Sequence, residues 1–429
     1  GMVAVIGLLT VFLLIMLRVP VGVAMLGVGF LGFASISGLR PASFMTAQTA
    51  FSTVNSYSLS VVPLFLLMGN LINRSRISTD LYDAAHAALG HYRGGLAQAT
   101  ILACGGFAAI SGSSMATTAS MAKVAYPSMR RYGYADILST GSIAAGGTLG
   151  ILIPPSVVLL VYGILTETSI SKLFIAGILP GLLAVALYML TIAVIARLKP
   201  EWGPAGARAG RAERLQKLAR VWPVLALFVV VMGGIYGGIF TPTEAAGIGA
   251  FGALLFALAR RALTWRSLFE TLTETAVTSA MIFFVIIGAM VLGNFLNIAG
   301  LPSMLRGLIG ALDLSPFWVM VTICVIYVLL GMVLESMSMI LLTIPILFPI
   351  VVGLGFDPVW FGILIVMVVE LALITPPIGL NVYMMRSVLP DLPLRTIFAG
   401  VFLFLVPDLA KLVLIVLFPG IVLWLPSMM

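Results

Sequence analysis

Charge is what this sequence has least of. Asp, Glu, Lys and Arg make up 9% of its 429 residues, against roughly 25% in a soluble globular domain. So few ionised groups cannot cover a water-facing surface of this size, and a soluble fold is excluded. Cysteine is almost missing: Cys104 and Cys324 both lie in apolar runs, so there is neither a disulfide framework nor a metal spacing. The two histidines, His86 and His91, flank one short amphipathic stretch and leave no zinc-protease motif. There is also no Walker loop and no dinucleotide fingerprint, which argues against ATP drive from this chain. Alternating short strands, the mark of a membrane β-barrel, are lacking too.

What is present is apolar sequence. The chain is 61% hydrophobic, and runs of about 20 residues, enough to cross a bilayer core, recur from end to end. The class is an all-α polytopic membrane protein. The net charge of +8 sits mostly in short loops, where the positive-inside bias explains it as an orientation signal; a nucleic-acid partner is not expected. Spans are expected at Met2–Leu17, Val21–Ser37, Ser60–Ile72, Gly95–Ile110, Leu173–Ala196, Pro223–Gly238, Glu244–Ala259, Leu272–Ile298, Trp318–Leu334 and Thr396–Phe418. Thr79–Arg93 mixes charges with apolar residues and is expected along the membrane surface. The one long polar segment, Arg197–Arg220, carries seven basic residues against Glu201 and Glu213, and its charge places it in the cytoplasm.

The chain is organised around Gly105–Ser156. Ser111-Gly112-Ser113-Ser114 interrupts apolar sequence once, and Gly146-Gly147-Thr148-Leu149-Gly150, leading to Pro154-Pro155, interrupts it again. Unwound backbone is tolerated in hydrocarbon only where protein buries it or it lines a polar cavity. The second half repeats the pattern. Gly69-Asn70 recurs as Gly293-Asn294 and Ser111 corresponds to Glu335, both 224 residues on; Pro127 matches Pro349 and Pro154-Pro155 matches Pro376-Pro377, both 222 residues on. The expected organisation is a first repeat over 1–196, a basic cytoplasmic linker over 197–220 and a second repeat over 221–429. The re-entrant hairpins fall at about 111–132 and 335–353, and the broken helices at about 139–165 and 359–385. Loop charges put corresponding loops on opposite sides, an inverted-topology repeat of the kind secondary transporters use. Both termini are then external.

Each half offers hydroxyls near a hairpin tip (Ser111, Ser113 and Ser114; Ser336 and Ser338) and a flexible turn before a Pro-Pro pair (Gly146–Pro154; Leu371–Pro376). Proline removes a backbone donor, and glycine permits unwinding. Freed carbonyls and hydroxyls make an oxygen cage suited to Na⁺, and half-helix N-termini favour a carboxylate. Small-residue helix packing accounts for Ser-Gly-Ser-Ser taken alone. Glu335 and Glu370 are carboxylates in nearly uncharged sequence, the kind that is functional by default, though each also reads as a structural partner for a backbone group or a lysine. Lys123 and Arg386 could neutralise a substrate carboxylate or snorkel to the interface.

The stretches SGSSMATTASMAKVAYPSM, GTLGILIPPS, SKLFIAGILPG, Glu335-Ser336 and LITPPIGLNVY resemble the large membrane subunit of the tripartite ATP-independent periplasmic (TRAP) transporters, over essentially the whole chain. The resemblance implies an elevator-type transporter that couples import of a small organic acid to Na⁺. It implies Na⁺ at Ser111, Gly112, Ser113 and Ser114 with Gly146, Gly150 and Pro154, and at Glu335 and Ser336 with Thr375, Pro376 and Gly379. Ser156 and Asn381 would face the substrate. The implied partners are a small four-helix membrane subunit, expected as a separate chain, and a periplasmic substrate-binding protein, in the bilayer of a bacterial inner membrane. Competing readings are a stand-alone elevator carrier of the dicarboxylate type and a non-transporting membrane scaffold. An intramembrane enzyme would need a nucleophile–base pair, and none is found.

Overall fold

The computed structural model describes every residue except Val333, Pro377 and Ile378. Among the described residues the regular structure is entirely helical. In the first half, α1 (Met2–Met16), α2 (Val21–Ser37), α3 (Leu39–Val54) and α4 (Val61–Arg74) lead to α5 (Ile77–Leu89). Then come α6 (Gly95–Ser111), α7 (Ser114–Arg131), α8 (Asp136–Gly147), α9 (Val157–Thr166), α10 (Ile170–Ala176) and α11 (Ile178–Leu198). The polar segment carries α12 (Arg211–Ala219). The second half holds α13 (Trp222–Tyr236), α14 (Pro242–Ala259), α15 (Trp265–Ile298), α16 (Leu301–Ala311) and α17 (Pro316–Gly331). It closes with α18 (Ser336–Gly353), α19 (Pro358–Ile374), α20 (Leu380–Val388), α21 (Leu394–Leu417) and α22 (Gly420–Ser427).

Among the described residues, five helical segments are long and apolar enough to cross a membrane, or up to seven if two bent pairs each count as one span. One bent pair is α3 with α4 and its preceding turn, at 54°; the other is α12 with α13, at 46°. Local chemistry sets the boundaries. Thr241 and Glu244 form a capping box at α14. The Asp357 carboxylate accepts the N–H groups of Val359 (2.8 Å) and Trp360 (3.3 Å) at the head of α19. Prolines 242, 316 and 358 open their helices, where a missing N–H costs nothing.

The order of elements recurs. α7 and α18 each have 18 residues and begin at Ser114 and Ser336, 222 apart. α8 and α19 begin at Asp136 and Pro358, again 222 apart. The halves are not packed one beside the other. α2 packs along α15, α4 along α14 and α8 along α21, so each pair joins the two halves. Small residues let these helices approach, as membrane interfaces require. A Cβ on Gly400 would stand 2.3 Å from the Ile137 carbonyl oxygen and 2.7 Å from the Gly141 nitrogen.

Several boundaries differ from the sequence reading. Ser111 ends α6 and Ser114 opens α7, with Gly112 and Ser113 between them, so the helices meeting at this tip span 95–131, whereas the sequence reading began the hairpin at about 111. Leu272–Ile298 is the latter part of a 34-residue helix. The sequence reading placed nothing at α3, α16 or α22. α3 mixes Arg40, Thr46, Gln48 and Thr49 with exposed Phe44 and Phe51, a pattern without the run of apolar residues that marks a span.

Gly400→Val should force α8 from α21 and lower the thermal midpoint in detergent, an overpacking cost of about 1–3 kcal/mol or more. Gly233→Val, where a Cβ meets nothing within 4 Å, is the matched control and should leave it nearly unchanged.

Candidate functional site

The first tip and the first break lock together. Gly112 ends α6 in the left-handed region, φ +67°, and a Cβ there would stand 2.8 Å from the Pro155 carbonyl oxygen. Gly150 presses from the other side: its Cβ would lie 2.3 Å from the Ser113 carbonyl oxygen. Between Gly147 and α9 the chain makes one 3₁₀ turn, Thr148–Ile151, and then runs through a cis Pro154–Pro155 peptide. Gly146 packs on Cys104, and Pro154 is buried.

Oxygens gather at the tip. The Thr117 hydroxyl donates to the Ser113 carbonyl at 2.7 Å, and the Ser111 hydroxyl lies 3.1 Å from Thr117 Oγ1 and 3.3 Å from that carbonyl. Ser113 Oγ accepts the Ala116 N–H at 3.3 Å and caps α7. Thr117, absent from the sequence-level set, belongs to this group by position. It stands one turn into α7, four residues after the carbonyl it bonds, a spacing the sequence could have offered.

The two residues expected to face substrate are both fully buried. Ser156 donates to the Ile151 carbonyl at 2.6 Å and accepts the Leu159 N–H at 3.3 Å, so its hydroxyl caps α9. Asn381 joins the halves. Its amide nitrogen donates to the Ala144 carbonyl at 3.2 Å, and its oxygen accepts the Ser114 hydroxyl at 3.4 Å. The second break thereby reaches the first tip.

The second tip is more open. Glu335 is exposed, and Oε1 accepts the Ser338 hydroxyl at 3.1 Å; Ser336 opens α18. Thr375 donates to the Leu371 carbonyl at 2.5 Å. Pro376 is half-buried, and Gly379 turns the chain into α20 at φ +55°. Pro377 lies outside the described residues. The end of α17 meets the end of α19 where Gly331 faces Ala372.

A charged cluster sits beside the first break. Lys411 Nζ on α21 lies 3.1 Å from Asp408 Oδ1 and 3.2 Å from Glu370 Oε1 on α19, all three side chains being shut off from solvent. Tyr188 on α11 donates to Asp408, and its hydroxyl lies 3.4 Å from Thr148 Oγ1 in the 3₁₀ turn. Of the two carboxylates singled out from sequence, Glu370 thus has its lysine and Glu335 does not lie near one by any ion pair of the described residues. Asp408 and Lys411 were missed by sequence reasoning. Their signal was an acid and a base three residues apart, one helical turn, inside the last apolar span.

A cavity of about 1530 Å³ is lined by none of the residues of the Ser111–Ser114 tip. It lies among α3, α15, α18 and the turn between α9 and α10, and its walls include Gln48, Ser52, Thr168, Ser169, Asn294 and Asn297. A smaller cleft of about 380 Å³ separates α5 from α7.

A helical membrane protein whose first tip and first break lock together, with Asn381 of the second half reaching that tip, has the build of a multi-pass transport protein rather than of a simple bundle. The comparisons make the class specific. Residues 8–421 match the family described as the tripartite ATP-independent periplasmic transporter, DctM component. A C4-dicarboxylate TRAP transporter large permease of Pseudomonas aeruginosa is 38% identical over 378 residues, 88% of each chain. A sialic acid TRAP large permease of Vibrio cholerae is 33% identical over 95% of each chain, and a 2,3-diketo-L-gulonate one of Escherichia coli is 34% identical over 88% of each. The YdaH transporter of Alcanivorax borkumensis shares the fold, with a TM-score of 0.58 over 92% of this chain and 89% of that one, at 15% identity. The chain belongs to the DctM family of TRAP transporter large permeases. It is therefore a multi-pass inner-membrane transport protein, and the family implies a small membrane subunit and a periplasmic binding protein as partners.

Removing Lys411 strands two buried carboxylates. Lys411→Met should cost about 3–5 kcal/mol, as for other broken buried pairs. Lys217→Met, at the half-exposed pair with Glu213 (3.2 Å), should cost no more than about 0.5 kcal/mol. Thermal melts of the two purified variants compare them directly, and a Glu370→Gln change added to Lys411→Met should recover part of the loss.

Proposed function

We propose that this permease imports a small organic carboxylate together with Na⁺, by moving the hairpin and broken-helix elements as a body across the membrane. The observation that carries the reading is the interlock of Ser111–Ser114 with Gly146–Pro155. Hydroxyl and carbonyl oxygens converge there without a full charge, which suits a monovalent ion that must bind and leave. Ser111, Ser113 and Thr117 with the carbonyls of the first break would hold one Na⁺ as cargo. Ser336, Thr375 and the turn to Gly379 would hold another, with Glu335 nearby. The ion orders a tip that otherwise has competing internal hydrogen bonds, and it adds positive charge next to the position an anion must take. Ion and substrate affinities are then reciprocally linked, typically by about 1–3 kcal/mol.

The pairing of α2 with α15 and of α4 with α14 supports an inverted repeat over 1–196 and 221–429. α2 and α14 begin at Val21 and Pro242, and α4 and α15 end at Arg74 and Ile298, so the two pairs are equivalent if the halves correspond. With 197–220 cytoplasmic, both termini are periplasmic. The cavity walls, with Gln48, Ser52, Thr168, Ser169, Asn294 and Asn297 and a single charge at Glu167, fit passage of a hydrophilic solute handed over by a binding protein. Relatives are named for dicarboxylates, sialic acid and a keto acid, and an organic acid is the chemistry they share.

Uptake in proteoliposomes with both partners present should follow an imposed Na⁺ gradient. Ser113→Ala and Ser336→Ala should each raise the Na⁺ concentration for half-maximal uptake severalfold and leave the thermal midpoint within about 1 kcal/mol of wild type. Full uptake driven by H⁺ in Na⁺-free buffer would overturn the sodium assignment. Full uptake without either partner would favour a stand-alone carrier. For the topology, a cysteine at Ala207 should label only from the cytoplasmic side and one at Ser315 only from outside; labelling of both from one face would refute the inversion.

A further inference from the structure

The helix α12 is built inside out. One side of it carries Ala212, Leu215, Leu218 and Ala219, all exposed, with Leu215 59% and Leu218 45% accessible. Trp222, 66% accessible at the head of α13, continues the same side. The opposite side holds Arg214 and Lys217, the two half-buried residues that open the polar face toward the protein. α12 packs on α5, and Lys217 stands close enough to Asp83 to oppose the upward pull of burial on that carboxyl. His86 on α5 feels Lys217 too: burial first, and then this ammonium, push its imidazole below the usual range. A helix resting on a soluble protein would bury its leucines and expose its basic side chains. Here the polar side meets Asp83 of α5, and the apolar side is left outward.

Two further features say what covers it. α12 runs into the span α13 through a bend of 46°, so it begins where that span leaves the hydrocarbon. The approach to the helix is basic: Arg208 and Arg211 are exposed, Arg220 at the other end acts with Lys217 on Asp83 of α5, and Glu213 is the one acid on the helix. Apolar side chains on one face with arginines at the margin and a tryptophan at the interface describe a helix lying in a headgroup layer.

We propose that α12 docks on anionic lipid, seating Leu215, Leu218 and Trp222 among the acyl-chain ends and Arg208 and Arg211 on lipid phosphates of the leaflet from which α13 departs. The surface so occupied holds α5 against the membrane through Lys217 and its acidic neighbours. α5 in turn packs on α6 and α7, so the lipid bears on the two helices that carry the first tip. This assignment rests on the membrane fold alone and stands whether or not the coupling ion is Na⁺.

A nitroxide at Leu215→Cys, in the full chain with Cys324 replaced by alanine, reads the contact in nanodiscs. Phosphatidylcholine alone is compared with discs containing about one third phosphatidylglycerol. With the anionic lipid, the label should lose mobility and become shielded from a water-soluble relaxation agent, and high salt should reverse part of that shielding. R208Q/R211Q should weaken the response to phosphatidylglycerol while melting in pure phosphatidylcholine as the parent does, which separates lost docking from lost folding. Equal water access in both lipids would overturn the proposal. So would shielding in phosphatidylcholine that arises only when the small membrane subunit is added, since a protein would then be the occupant.

Discussion

A polypeptide in hydrocarbon must satisfy its own backbone, and the centre of this protein is a place where it does so without a continuous helix. From Thr148 to Ser156 the chain leaves α-helical geometry, and the cost is met by burial against the tip joining α6 to α7. The close approach of Gly150 to the Ser113 carbonyl and of Gly112 to the Pro155 carbonyl depends on having no side chain at either position. Other nearby features serve that contact. Ser113 and Ser156 cap the helices that resume on either side, and Asn381 reaches over from the second half to hold Ser114 and the Ala144 carbonyl together.

The charged cluster of Glu370, Asp408 and Lys411 is a second solution to the same constraint. Isolated charges are costly in a membrane interior, and those that persist face one another. Here they join α19 and α21, with Tyr188 extending the set to α11 and, through its contact with Thr148, to the first break. The break is thus held on one side by close backbone packing and on another by ionic and hydroxyl contacts. These forces weaken differently: packing depends on volume, the cluster on charge balance.

Much of this was legible in the sequence because it was written in rare residues. Against a 61% apolar background, glycine-serine runs and paired prolines stand out, and Pro154-Pro155 returns 222 residues later as Pro376-Pro377. The same rarity drew notice to Glu335 and Glu370. The sequence could not separate them, because being charged in an apolar stretch does not say which way a side chain points: Glu335 is exposed and Glu370 is sealed beside Lys411. Ser156 follows the same logic. The resemblance implies that Ser156 faces substrate, and the helix that restarts there uses its hydroxyl as a cap. Asp408 and Lys411 escaped because two opposite charges in a long span hardly alter its overall hydropathy. α3 escaped because Arg40, Thr46, Gln48 and Thr49 break up its apolar residues.

The cluster also bears on how the protein is made. Taken alone, α21 would carry an aspartate and a lysine into lipid, each costing about 2.5–3.5 kcal/mol at a helix centre. Its partners lie upstream: Tyr188 on α11 and Glu370 on α19 leave the ribosome before Asp408 and Lys411. By the time the last long span is synthesised, a polar seat for it already exists in the bilayer. Chain order therefore turns a span that inserts poorly by itself into one that can be received by its predecessors, and makes the arrival of α21 the step that closes the core.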